Sequence, residues 1–428
     1  MQKTMIASKY AILSTFADSY SDIGNGYIRE FIKNGATFID HDESYLKYGN
    51  KKAREFISNT IDENSIKVLV YQPGPSDFHF SLDFFQSLQN KVFTVMMIGD
   101  PAYYFYTKDI YYAQTMDLVV VYDYSSRYKF EQYGIEAISF YSSYDKSKYF
   151  KIDNIKKDID LSFVGHMLIE KERTKNIEYI TRNGFDVEVF GIGSKNGQIS
   201  LEKMVEIFNR TKINLNFTGI GQWNALRKEP NINLRIKQMK GRMTEINMSG
   251  GFVLSEYAPG IEEVYEVDKE IVVFHSKDEM IEKIKYYLKH ENKRETIANN
   301  GYIRALRDYE VSTAIPRLIN KIEEYRKLKI HKPAQLYLDK DFIKYYTTFR
   351  VLMMVKFLKS RRWALFFEEL RIVLKNRKLD LCRTLKYLLD LIPDFKKLLK
   401  RIFYFRERRQ TSQDWGLRQL PVKRDKHI

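Results

Sequence analysis

A chain of 428 residues is too long for one ordinary core and long enough for two domains plus an extension. Its 44% hydrophobic and 29% charged residues exclude a disordered or fibrous protein, and a single cysteine, Cys382, excludes an intrachain disulfide framework or a cysteine-rich zinc site. The net charge of +16 is uneven: residues 331–428 hold 25 Lys or Arg against 10 Asp or Glu, a net of +15, which leaves +1 for the remainder and argues against nucleic acid as a partner of the body.

In chain order, apolar and β-branched runs at 11–16, 37–40, 66–71, 92–98, 118–122 and 137–141 read as buried parallel strands, with 25–34 and 78–88 as helical crossovers. That alternation predicts a doubly wound α/β domain over 1–150. Residues 144–159 are polar, without apolar periodicity, and read as a linker. A second α/β series follows at 161–164, 187–190, 213–217, 252–255 and 271–274, with helices at 177–183, 201–209, 280–288, 293–306 and 314–328, which sets a second domain at 151–330. From 339 onward the pattern is helical, within a basic extension spanning 331–428. Leu381, Leu385, Leu388, Leu389 and Ile392 share a face, while Trp363, Phe366, Phe367, Phe403, Tyr404 and Phe405 add aromatics suited to a membrane interface. Two readings of 339–428 stand: a basic surface on an anionic leaflet, or helices packed on the first domain or on a second subunit. The first 16 residues lack the apolar core of a secretory signal, and no run of about 18 apolar residues occurs. The expected location is cytoplasmic, with a peripheral place on the inner membrane face open to the extension.

The chemistry concentrates in residues 240–265. Lys240 and Arg242 precede a carboxylate, Glu245, on a short predicted helix; Gly250 and Gly251 end it and turn the chain into a strand that finishes near Tyr257. Ala258, Pro259 and Gly260 then open another predicted helix, whose N-terminal amides suit a phosphate. Cations neutralise a departing diphosphate and a carboxylate accepts hydrogen bonds from ribose hydroxyls. Gly-Gly and Pro-Gly turns with surface charges are also ordinary in α/β domains, so composition alone leaves a structural reading open.

With Lys269-Glu-Ile-Val-Val-Phe274 and Ile297-Ala-Asn-Asn-Gly-Tyr302, this stretch resembles the C-terminal domain of the CgeB-like (spore-maturation) glycosyltransferases, in order over about 100 residues. Upstream, 161–165 with Arg173, 189–191 and 213–217 match that family's preceding strands. The first half is similar only through Gly24-Asn-Gly26, expected as an acceptor-side turn opening a helix, and residues 117–123. The resemblance implies a GT-B fold, two Rossmann-like domains facing a cleft, and transfer of a sugar from a nucleotide-sugar donor, UDP-linked by expectation, to a glycan, lipid-linked or protein acceptor. It implies that Glu245 holds the ribose, that Arg242 and Lys240 face the diphosphate, and that Gly165, His166 and Arg173 line the cleft beside them. Where the large retaining families of this fold carry a second glutamate eight residues before Glu245, this chain has Lys237. Stereochemistry stays open, and an inverting enzyme needs a base from the first domain. Asp18, Asp22, Asp77, His79 and Asp100, on predicted loops after strands, are the candidates.

No cofactor and no metal are expected. The Asp-x-Asp pairs Asp158/Asp160 and Asp339/Asp341 fall in the linker and at the start of the tail, and no Walker sequence is present. The competing reading is a non-catalytic GT-B scaffold at the membrane surface.

Overall fold

The computed structural model describes residues 6–15, 23–74, 77–99, 101–168, 171–220, 237–328 and 338–389. Eleven strands among them form two all-parallel sheets. The first contains β1 (Tyr10–Ser14), β2 (Thr37–Asp40), β3 (Val68–Tyr71), β4 (Phe93–Ile98), β5 (Leu118–Val121) and β6 (Ala137–Ser139), in the order β2-β1-β3-β4-β5-β6. The second contains β7 (Ile159–Val164), β8 (Glu188–Phe190), β9 (Thr211–Asn216), β10 (Val253–Glu256) and β11 (Val272–Phe274), in the order β11-β10-β9-β7-β8. The fold is the expected α/β one: two Rossmann-like sheets with helices on both faces. Every apolar run read as a strand is one, because strands buried on both faces leave no polar alternation.

Alternate residues of β1 divide between two cores. Ala11 and Leu13 join one cluster with Tyr71, Phe85 and Tyr112; Tyr10 and Ile12 join the other with Val68, Val95 and Val120. Each core also recruits distant chain. The Val311–Leu328 helix leaves the second sheet and lays Ile315, Leu318, Ile319 and Ile322 on the first, where Tyr10 Oη donates to Glu323 Oε1 at 2.8 Å. The basic extension does the same on the opposite face: Phe342, Tyr345, Phe349, Val355 and Phe357 of the Lys340–Lys359 helix are buried there. Of the two readings of this region, packing on the first domain holds for residues 340–359; Phe403, Tyr404 and Phe405 lie outside the described residues.

Local corrections follow from side-chain demands. A helix of 23 residues, His41–Glu63, follows β2, capped by Asp40, whose side chain accepts from Glu43 N at 2.9 Å. It kinks at Gly49, φ 77°, where a Cβ would meet Leu365 Cδ2 at 2.5 Å, so the Trp363–Asn376 helix seats against bare backbone. Gly24 and Gly26 lie inside the Ile23–Lys33 helix rather than in a turn before it. The helix expected over 78–88 begins at Leu82, leaving Asp77, Phe78 and His79 in the preceding loop. Tyr144 and Tyr149, in the expected linker, are fully buried in the second domain's core. No helix among the described residues is long and apolar enough to cross a membrane.

Candidate functional site

In open parallel sheets, ligands bind outside the carboxyl ends of the strands where the winding reverses. In the second sheet that place lies between β7 and β9, because β8 is wound to one side of β7 while β9, β10 and β11 lie on the other. The loops leaving β7 and β8 touch there, partly through backbone and partly with Leu168 lying against Gly193. Gly165 N donates to Phe190 O at 2.9 Å, and a Cβ on Gly191, φ 118°, would lie 2.1 Å from Gly165 O. His166 follows, half-buried, with Leu168 N donating to its Nδ1 at 3.2 Å; burial and then Arg173 hold its pKa below the ordinary value. Arg173 donates to His166 O at 2.8 Å and lies over the Phe163 ring at 5.8 Å.

Beyond β9, a carboxylate that sequence reasoning passed over organises the crevice. Glu256, the last residue of β10, accepts from Thr218 N at 2.9 Å, Thr218 Oγ1 at 3.2 Å and Gly219 N at 3.3 Å, and forms an ion pair with Lys237. Lys237, which stands where retaining relatives of the fold carry a glutamate, is thus a cation fixed at the carboxyl edge and backed by the Ser-Glu-Tyr motif. The motif contained the signal: a carboxylate closing a buried parallel strand.

The 240–265 segment spreads over both edges of the sheet. Lys240 lies near the first domain, its carbonyl accepting from Tyr141 Oη at 2.6 Å, and a Cβ on Gly241 would lie 2.1 Å from Tyr144 Oη. Arg242 and Glu245, one turn apart on the Arg242–Met248 helix, pair with each other; Arg242 stacks on Phe208 and Glu245 is 5% exposed. Gly250, φ 71°, and Gly251 close this helix at the amino end of β10, the edge away from the crevice. A Cβ on Gly251 would meet Ile246 Cγ2 at 2.7 Å, so these two glycines turn and pack the chain. Tyr257, Pro259 and Gly260 do lie at the carboxyl end. Tyr257 packs on His275, ring centroids 4.6 Å apart, and Gly260, φ 86°, approaches Tyr124 of the first domain so closely that a Cβ would lie 2.8 Å from Tyr124 Cβ. The helix expected after Gly260 is a single 3-10 turn, Ile261–Glu263, too short to align a macrodipole.

The first sheet reverses its winding between β1 and β3, and polar groups gather at that carboxyl edge too. Asp77 and His79 are there, 3% and 1% exposed, joined by two residues the sequence reading did not select, His41 and Asp42. Asp77 Oδ1 lies 2.5 Å from His79 Nδ1 and Oδ2 lies 3.0 Å from His41 Nε2. Asp42 Oδ1 lies 2.9 Å from His41 Nδ1 and 3.2 Å from His79 Nε2. Burial alone would lower the His41 pKa; Asp77 and then Asp42 outweigh it and raise it to about 9. Burial works against ionisation of Asp77 and Asp42 as well, yet the two histidines hold both carboxyls well below the usual range. The extension roofs this cluster: Arg350, fully buried, donates to His79 O at 3.1 Å and to Phe78 O, contacts Tyr45, and pairs with Glu369 at 3.4 Å. Asp18, Asp22 and Asp100 lie outside the described residues. The Asp-x-Asp pairs have structural partners: Asp158 and Asp160 bind Arg210 and Lys212 at the surface, and Asp339 caps the Lys340–Lys359 helix.

Comparison with known proteins agrees with this frame. A family model described as glycosyl transferase-like matches residues 173–320, which include Lys237, Arg242, Glu245 and Glu256. No curated protein matches the chain. Among solved structures, sucrose-phosphate synthase from Thermosynechococcus elongatus is similar with TM-score 0.53 and 9% identity, covering 75% of this chain and 99% of that one. A glycosyltransferase from Rickettsia africae gives TM-score 0.51 at 11% identity over 75% of this chain and all of that one. Anabaena HepE in complex with UDP gives 0.50 at 12% identity over 74% of this chain and all of that one. The fold is GT-B, and it carries a glycosyl transferase-like domain over residues 173–320.

Proposed function

We propose that the chain transfers a sugar from a UDP-linked donor, held at the β7/β9 crevice of the second domain, to a saccharide, lipid-linked or protein acceptor presented by the first. The observation that carries this reading is the Lys237–Glu256 pair at the carboxyl edge, opposite the bare-backbone contact of Gly165 and Gly191. A diphosphate leaving group gains negative charge as the glycosidic bond to the donor breaks, and a preorganised ammonium at that point stabilises the transition state more than the ground state. Among the described residues Lys237, Arg173 and Lys240 are cations near this edge, and Arg242, freed from Glu245 by rotation, would add another while Glu245 accepts from the ribose. The UDP bound to HepE supports the choice of nucleotide. Gly165 and Gly191 fit this role because only glycines let the loops leaving β7 and β8 close on each other beside the crevice, a Cβ on Gly191 meeting Gly165 O and one on Gly165 meeting the Phe163 ring.

The extension suits an acceptor at an anionic membrane. Trp363 and Phe367 lie four residues apart on one helix, and Leu381, Leu385 and Leu388 line one face of the next; all five are exposed among Lys and Arg. Thermal shift against UDP, GDP, CMP and their sugars tests the donor reading. Stabilisation by UDP and donor hydrolysis, both reduced in Lys237→Ala, are expected. Failure of every nucleotide to stabilise the folded chain overturns it. Sedimentation with anionic vesicles tests the membrane reading, and equal pelleting of wild type and Trp363→Asp/Phe367→Asp would remove it.

A further inference from the structure

We infer that His41, Asp42 and His79 form a site for one divalent transition-metal cation, with Asp77 holding the two imidazoles behind it. His41 Nδ1, Asp42 Oδ1 and His79 Nε2 all lie within 4.8 Å of one another. Their separations, 2.9 Å and 3.2 Å from the Asp42 oxygen, are close to the spacing between neighbouring ligands of a tetrahedral ion, about 3.3 Å for metal bonds of about 2.0–2.2 Å. Among the described residues these same three atoms are buried without a hydrogen bond of acceptable geometry. The three atoms face one another as ion-pair partners but poorly aligned, and buried polar atoms that miss good hydrogen-bond geometry are costly unless something binds between them.

The remaining ring nitrogens support the same reading. His79 Nδ1 meets Asp77 Oδ1 at 2.5 Å, and His41 Nε2 lies 3.0 Å from Asp77 Oδ2 and 3.3 Å from Thr15 Oγ1. A carboxylate behind each imidazole is how metal-bound histidines are oriented, since a proton held on the far nitrogen directs the near lone pair inward. Here one carboxylate serves both rings. Once an ion displaces the proton that His41 otherwise holds, Asp42 and Asp77 carry two negative charges, of which Lys356 faces only that of Asp42, while Arg350 is already matched by Glu369. A divalent cation offsets what remains. Two imidazoles and one carboxylate suit Zn2+, Fe2+ or Co2+ rather than Mg2+ or Ca2+, which prefer all-oxygen sites. Three protein donors leave coordination open on the Asp42 side, which is 19% exposed where the histidines are sealed. The ion would pin the helix start that follows β2 to the loop leaving β3 at the reversal point of the first sheet, with Asp77 and His79 engaged as orienting group and ligand.

The test uses the untagged full-length chain, stripped with a chelator and titrated with Zn2+ and Co2+. One equivalent should bind, raise the melting temperature and, for Co2+, give the visible bands of a low-coordinate nitrogen and oxygen site. His41→Ala and His79→Ala should abolish stoichiometric binding, Asp77→Asn should weaken it about 10–100-fold, and His290→Ala, on an exposed helix end, should leave it unchanged. No binding by the folded wild-type chain, or undiminished binding in both histidine variants, overturns the site. If those variants do not fold, the wild-type Co2+ spectrum decides: tetrahedral bands support the site and an octahedral aquo-type spectrum refutes it. None of these readouts depends on sugar transfer.

Discussion

Arg350 offers the sharpest test of how the extension belongs to the first domain. Its guanidinium is fully buried, donates to the carbonyls of Phe78 and His79, and pairs with Glu369, which is equally buried. Arg350→Met keeps most of the stem volume but leaves Glu369 with Tyr45 as its remaining partner and two carbonyls without their donor. Removing one member of a buried pair costs about 3–5 kcal/mol. At about 2–4 °C per kcal/mol for a unit of 150–250 residues, the melting temperature should fall by roughly 6–20 °C in scanning calorimetry. A pH signature accompanies the loss. Burial raises the Glu369 pKa and Arg350 opposes that rise, so without Arg350 the native state favours the protonated acid further. A carboxyl whose folded pKa exceeds its unfolded value loses stability as pH rises through the unfolded range, so the Arg350→Met deficit should shrink as pH falls toward about 4.5. Arg350→Met/Glu369→Leu should recover a large part of the loss, because an apolar pair of similar volume replaces a buried ion pair at little cost. A single variant within about 1 kcal/mol of wild type, or a double variant as unstable as the two singles summed, refutes this account.

Three further outcomes follow from the same geometry. Lys237→Ala should lower the transfer rate about 100–1,000-fold with an unchanged melting temperature, measured by donor turnover, because the ammonium acts on charge that develops only in the transition state. Gly191→Ala sets a Cβ against the Gly165 carbonyl at positive φ and should cost well over 1 kcal/mol in urea unfolding while weakening nucleotide binding; an undisturbed variant would remove the close contact from the argument. The His166 titration midpoint, followed by NMR, should lie below about 6.5 and rise in Arg173→Met, since burial first and Arg173 second disfavour the imidazolium. Because the folded pKa is depressed, this group's contribution is lost as pH falls through the unfolded value.

The two sheets were legible because a parallel strand covered on both faces must be apolar throughout, and runs such as Leu118–Val121 have no other economical place. The extension was not. Phe342, Phe349 and Phe357 on a Lys-rich helix satisfy a bilayer interface and a protein core equally well, and only the sheet face they cover distinguishes the two. The site divides along the same line. A motif identifies residues but not the edge of the sheet they occupy: Gly250 and Gly251 sit within the stretch that resembles a donor site, yet a helix between β9 and β10 runs back against the strands and delivers its end to the opposite edge. Glu256 lies in that stretch as well, and what marks it is its position as the closing residue of a buried strand rather than its neighbours. His41 and His79 are separated by a 23-residue helix and a strand, so no spacing rule pairs them. They meet because β2 and β3 flank β1, and a parallel sheet brings the residues just past each carboxyl end to one place whatever the length of chain between them. Topology, rather than motif spacing, is therefore the scale on which this protein's polar chemistry is assembled in both domains.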